Sequence, residues 1–199
     1  MFTLVIDDKY SFVSFNLDSW GKSKDTNILY ITGLSGSGKS TLSLDLCPDN
    51  QIIHLDHYTE YHLFPYRNKL FNAYLNKHCT DWVKIPNATD KFRFSDNYFK
   101  LVDSFRNCIV GFSNEQYLQY GNKIIVEGIQ IADRWLSYDY DFYVGKPVIV
   151  MTTTIEDSMK YAAMRDDIKL SDMKKNRMET YKAMQSNLDN FIKFLSEYS

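Results

Sequence analysis

Eight consecutive residues, Gly33-Leu34-Ser35-Gly36-Ser37-Gly38-Lys39-Ser40, carry the strongest chemical signal in the chain. They fit G-x-x-x-x-G-K-[ST] without a gap, and each residue type has a physical reason. The glycines let the backbone curl so that successive N–H groups point inward at phosphate oxygens, where side chains would obstruct the approach. A helix beginning near Lys39 adds its positive dipole end. Lys39 reaches the β- and γ-phosphates, and the Ser40 hydroxyl ligates Mg²⁺. Three of the chain's eight glycines fall in this run, between a buried-strand pattern and a helix pattern, the context such a loop requires. Gly33, Ser35, Gly36, Ser37, Gly38, Lys39, Ser40 and Thr41 are therefore read as a cradle for a nucleoside triphosphate, with ATP and Mg²⁺ the expected ligands.

Two carboxylates stand where they would meet that cradle. Asp56 ends the apolar run QIIHLD and Glu127 ends KIIVE. Ligands of open α/β sheets bind beyond the carboxyl ends of the strands, so both acids converge on the rim that holds Lys39. One accepts the proton of an attacking hydroxyl while the other orients the water shell of magnesium. Asp56 is assigned the base role and Glu127 the magnesium role beside Ser40; for each, the plain alternative is a solvated carboxylate at a strand end. No N-K-x-D base-reading element and no L-S-G-G-Q signature occurs, and the chain is short for a motor ATPase. The compact kinases remain.

The loop, together with Leu55-Asp56-His57-Tyr58, Val126-Glu127-Gly128-Ile129 and Arg165-Asp166, resembles the uridine kinase and phosphoribulokinase-like branch of the P-loop kinases, and more distantly the nucleoside monophosphate kinases. The resemblance covers scattered blocks between Ile28 and Asp166, and only the loop is highly specific. It implies that the loop binds ATP, that Asp56 activates a substrate hydroxyl, that Glu127 closes the third strand of the core, and that Arg165, on a lid helix, engages phosphates. The lid pattern Arg-x-x-x-Arg is here Tyr161-Ala162-Ala163-Met164-Arg165, with tyrosine in the first arginine position.

Transferring phosphoryl oxygens carry spread negative charge, which makes other cations candidates to face them. Lys169, Lys174, Lys175 and Arg177 follow Arg165, with a solvated helix face as the plainer reading. Arg67, Arg93, Arg106 and Arg134 fall in segments expected to face an acceptor, each more simply a surface or packing residue. His54, His57, His62 and His78 fit no zinc spacing. Tyr58, Tyr61, Phe64 and Tyr66 are candidates for stacking on a base, against a plainer role in packing.

Positioning these groups requires alternating strands and helices. Residues 2–6 and 11–15 read as an antiparallel hairpin, 28–32, 51–56, 123–127 and 147–151 as buried strands. Helices are expected from Lys39 to before Pro48, over 66–78, 97–120 and 154–165, and from a Ser171 cap to the C-terminus. The last of these carries a Met173, Tyr181, Met184, Leu188, Phe191, Leu195 stripe that reads as core-facing. The expected fold is a three-layer α/β/α P-loop NTPase fold with a mainly parallel sheet. Residues 1–26 are the hairpin extension and connector, and 27–199 the kinase-like domain. The hairpin is expected to cover a sheet edge, with regulation or a homodimer contact as the alternative.

Composition agrees with a globular chain: 199 residues, 44% hydrophobic and 24% charged. With 23 Lys+Arg against 25 Asp+Glu, no global field draws it to nucleic acid or an anionic membrane. No apolar run approaches a membrane span, and the start MFTLVIDD lacks the basic region of a signal peptide. Cys47, Cys79 and Cys108 are odd in number and widely spaced, which reads as a reduced, cytoplasmic protein. The expected activity is transfer of the ATP γ-phosphoryl to a small hydroxyl- or phosphate-bearing acceptor, with a nucleoside or nucleotide as the expected class. The alternatives are a polynucleotide or nucleotide-sugar kinase and an NTP-binding regulatory module with little turnover.

Overall fold

All five residues of Ile28–Thr32 are buried, and their side chains alternate between two apolar clusters. Ile28 and Tyr30 join one cluster, Leu29 and Ile31 the other, as the two-residue period of a strand covered on both faces dictates. The computed structural model describes residues 2–6, 9–58, 68–79, 96–132 and 140–199. Its strands are β1 (Phe2–Ile6), β2 (Ser11–Phe15), β3 (Ile28–Thr32), β4 (Ile52–His54), β5 (Ile124–Glu127) and β6 (Val148–Met151). Its helices are α1 (Lys39–Leu46), α2 (Lys69–His78), α3 (Asp96–Tyr120), α4 (Ile155–Arg165) and α5 (Leu170–Tyr198).

The architecture is α/β, with one sheet in the order β1-β2-β6-β3-β5-β4. β3 pairs in parallel with β5 and β6, and β4 in parallel with β5. The hairpin β1–β2 pairs antiparallel within itself and onto β6. The sheet is thus mixed rather than mainly parallel, because the N-terminal hairpin extends the parallel part across the β6 edge. That edge would otherwise offer unpaired backbone groups to another chain.

Helices pack on both faces. Leu42 of α1 and the adjacent Cys47 fill one cluster with Leu29, Ile31, Ile52, Ile125, Ile149 and Met151. Phe71 and Leu75 of α2, Phe105 and Phe112 of α3, Met159 of α4 and Tyr181, Leu188 and Phe191 of α5 fill the other. The α5 stripe therefore faces the core as its spacing predicts. Among the described residues no helix is long and apolar enough to cross a membrane.

Three local expectations change. β4 stops at His54, and Leu55–Tyr58 turn into a 3-10 segment. Among the described residues β4 pairs with β5 alone, and their register ends at His54↔Glu127, where the ladder that would extend the strand stops. The cap of α5 is Lys169, not Ser171: the Lys169 carbonyl accepts the N–H groups of Asp172 and Met173.

The third change concerns cysteine. Cys79, which caps the end of α2, and Cys108, within α3, form a disulfide, whereas Cys47 is free and buried. The reading of all three as reduced thiols is corrected. Sequence spacing carries no trace of a pair 29 residues apart that only helix packing brings together. Closing a loop of that length is expected to stabilise the fold by about 2–4 kcal/mol. Thermal unfolding with and without dithiothreitol tests this: the midpoint should fall on reduction, and peptide mapping of unreduced protein should recover the linked pair.

Candidate active site

The loop after β3 is shaped by two glycines in the left-handed region, Gly36 at φ 84° and Gly38 at φ 92°. Gly38 is the N-cap of α1, so the first turn of that helix, from Lys39 onward, presents N–H groups without intrahelical partners. A Cβ on Gly36 would collide with the Ser158 carbonyl of α4, so that glycine also lets α4 close on the loop. Three further bonds hold the loop from outside. Thr153 Oγ1 donates to the Ser37 carbonyl (3.1 Å), Tyr181 Oη to the Ser35 carbonyl (3.1 Å), and Arg165 Nη2 to Ser35 Oγ (3.4 Å). Tyr181 was legible only as a core residue, because its hydroxyl contact depends on where α5 lands.

A cavity of about 710 Å³ opens over the loop. It is lined by Ser35 to Thr41, by Asp56, Glu127 and Ile129, by Thr152 to Thr154, Asp157, Tyr161 and Arg165, and by Lys9, Tyr10 and Ser11. The predicted site residues therefore meet in one space, apart from Gly33, which shapes the loop from beneath: a Cβ there would strike Met151 and Ser37. The size suits a small-molecule ligand.

Lys39 is buried, with Nζ donating to the carbonyls of Gly33 (3.0 Å) and Leu34 (2.8 Å). Burial pulls its ammonium below the ordinary lysine value, opposed by the charges of Glu127 and Asp56. Glu127 is also buried, and two bonds converge on its Oε1, from Ser40 Oγ at 2.9 Å and His54 Nδ1 at 2.5 Å. Burial pushes the Glu127 carboxyl up, but the His54 bond, the Lys39 and His54 charges and the Ser40 bond outweigh it and hold the group below its usual range. Burial likewise resists protonation of His54, yet its bonds to Glu127 and Asp49 raise it above the ordinary histidine value. Each group thus favours the charged form of the other, and two hydrogen bonds fix the carboxylate in place.

His54 is the residue that sequence reading missed. It entered only as one of four histidines without zinc spacing, while the β4–β5 register sets it directly beside Glu127. Asp56 is exposed on the cavity wall and accepts a bond from Gln130 Nε2, a second polar group not anticipated. Arg165 pairs with its neighbour Asp166 (Nε to Oδ1, 2.8 Å), which orients the guanidinium toward the loop.

Other candidates fall elsewhere. Arg106 is buried on α3, with its guanidinium 4.1 Å from the centre of the Phe142 ring. Tyr58 is buried against Phe71 and Phe105, and its hydroxyl donates to Asn72. Lys174 pairs with Glu156 at 3.0 Å, and neither it nor Lys169, Lys175 or Arg177 lines the cavity. Arg67, Arg93, Arg134, His62, Tyr61, Phe64 and Tyr66 lie outside the described residues.

The donors gathered here are hard oxygens, a hydroxyl and a carboxylate, which suit magnesium. Among the described residues no three His, Cys, Asp or Glu side chains cluster as a metal cage. Magnesium does not need one, since it is held by one or two carboxylates with substrate phosphates and water. The Ser37 hydroxyl, buried in the loop on the side of Gly33, has no partner among the described residues. The chain matches no protein-family model and no curated protein sequence.

Proposed function

We propose that this chain is a P-loop kinase that transfers the γ-phosphoryl of ATP to the hydroxyl or phosphate of a small acceptor, with a nucleoside or nucleotide as the favoured class. The observation that carries this reading is the meeting of Lys39, Ser40 and Glu127 under a glycine-shaped loop, with Asp56 and Arg165 on the walls of the same cavity. Transfer of this kind asks little covalent chemistry of the protein and much positioning and charge stabilisation.

In the proposed mechanism the loop N–H groups and the α1 N-terminus hold the phosphate chain. Lys39 exchanges its loop carbonyl partners for phosphoryl oxygens. Asp56 accepts the acceptor's proton as the new O–P bond forms and the β–γ bridging O–P bond breaks. Arg165 faces the charge that spreads over the transferring group. Ser40 and Glu127 are the residues that would hold Mg²⁺, which when bound neutralises charge on the β- and γ-phosphoryl oxygens. His54 keeps the Glu127 carboxylate ionised and aligned for that role.

A second reading, nucleotide binding with little turnover, draws on one observation: Tyr161 lines the cavity where the resemblance leads one to expect an arginine. One experiment separates the two. Radiolabelled γ-phosphate transfer from ATP with Mg²⁺ is screened over nucleosides, nucleotides, sugars and oligonucleotides. Transfer to a small acceptor supports the kinase. ATP uptake by calorimetry without transfer to any acceptor supports the binding module, and the absence of uptake overturns both.

A further inference from the structure

The mechanism uses one end of the cavity and leaves the other without a role. Arg165 reaches Ser35, and Lys39, Asp56 and Glu127 gather beside it, so the transferring phosphoryl belongs there. The loop then runs on through Thr41 into α1, and a phosphate chain laid along it must deliver its nucleoside to the opposite end. Tyr10 of the N-terminal hairpin stands there, beside Gly38 at the start of α1, and its neighbours Lys9 and Ser11 also line the cavity.

The hairpin is fastened there by several independent bonds. Ser11 Oγ and Thr152 Oγ1 are 2.6 Å apart, and the Thr152 N–H donates to the Ser11 carbonyl at 2.9 Å. Tyr10 Oη donates to Asp45 Oδ2 of α1 at 2.6 Å, and Lys9 pairs with the same carboxylate. The hydroxyl tether holds the Tyr10 ring across the start of α1, 3.9 Å from where a Cβ on Gly38 would stand. An aromatic face held by its hydroxyl and by the fastening of the adjacent Ser11 loses little freedom on binding, and every nucleobase has a π-face to lay against it.

We infer that the N-terminal hairpin is part of the active site as well as an edge cover: Tyr10 is the stacking platform for the base of the donor nucleotide. This rests on the nucleotide reading of the loop. It gives a purpose to the Lys9 and Tyr10 tether to Asp45, which sheet extension by β2 does not require.

The test measures binding of 2-aminopurine riboside triphosphate and of inorganic tripolyphosphate to the full chain, wild type and variants. Tyr10→Leu should weaken the nucleotide about tenfold and abolish its stacking quench. The same variant should bind tripolyphosphate as wild type does, which also shows that the site remains folded. Tyr10→Phe, which keeps the ring, should retain the quench. Equal nucleotide affinity and quench in Tyr10→Leu and wild type would overturn the inference and leave the phosphate reading standing. If wild type binds neither compound, the nucleotide reading falls and this inference with it.

Discussion

Replacing Lys39 by methionine is expected to reduce phosphoryl transfer about 10³-fold, the scale for losing one preorganised charge-stabilising group. It should do so with little change in the thermal midpoint. Burial already disfavours the Lys39 ammonium, so an apolar side chain of similar length removes a desolvation cost. Against that stands the loss of two hydrogen bonds to loop carbonyls. These effects oppose each other and are each about 1–3 kcal/mol. Glu127 is not left uncompensated, because His54 and Ser40 still bond its Oε1. Calorimetry with Mg²⁺ and ATP, transfer assays and a melting curve on the same preparation check the three parts. A methionine variant that binds and transfers like wild type would remove the phosphate role of Lys39.

Asp56→Asn should lower kcat about 10²–10⁴-fold, the usual contribution of a positioned general base. The KM for ATP should stay unchanged, because Asp56 lines the cavity outside the glycine loop proposed to hold the phosphates. Asparagine keeps the size of the side chain and an oxygen for the Gln130 bond, so the effect isolates the lost proton acceptor. A rise in the KM for ATP with kcat preserved would instead place Asp56 in binding and leave the base unassigned. The two variants together are informative: Lys39→Met should fail in binding and transfer, Asp56→Asn in transfer alone.

Much of this was legible in the residue order because its signals are local. The glycine loop is a contiguous pattern whose backbone needs are met within eight positions, and Gly36 and Gly38 take the left-handed angles it demands. β3, α1, α2, α3, β5 and β6 announced themselves through apolar runs and helical spacing, and the Thr154 cap through its Asp157 three residues on. The convergence of Asp56 and Glu127 on the loop followed from the rule that strands of such sheets point their carboxyl ends at one rim, while Arg165 was expected there from the family resemblance alone.

What stayed hidden depends on which distant residues the closed chain makes neighbours. His54 was an unremarked histidine until the β4–β5 register set it beside Glu127, and that register is a long-range hydrogen-bonding choice. Cys79 and Cys108 became partners only when α2 packed on α3. Tyr10 falls between the two strands of the expected hairpin, yet the fastening of β2 to β6 and of its hydroxyl to Asp45 brought it to the lining of the cavity over the loop. Backbone propensity and phosphate chemistry are written in neighbouring letters. Side-chain company is settled only by the packing of elements far apart in the chain, as Ser11 and Thr152 are at a separation of 141 residues and Ser35 and Tyr181 at 146.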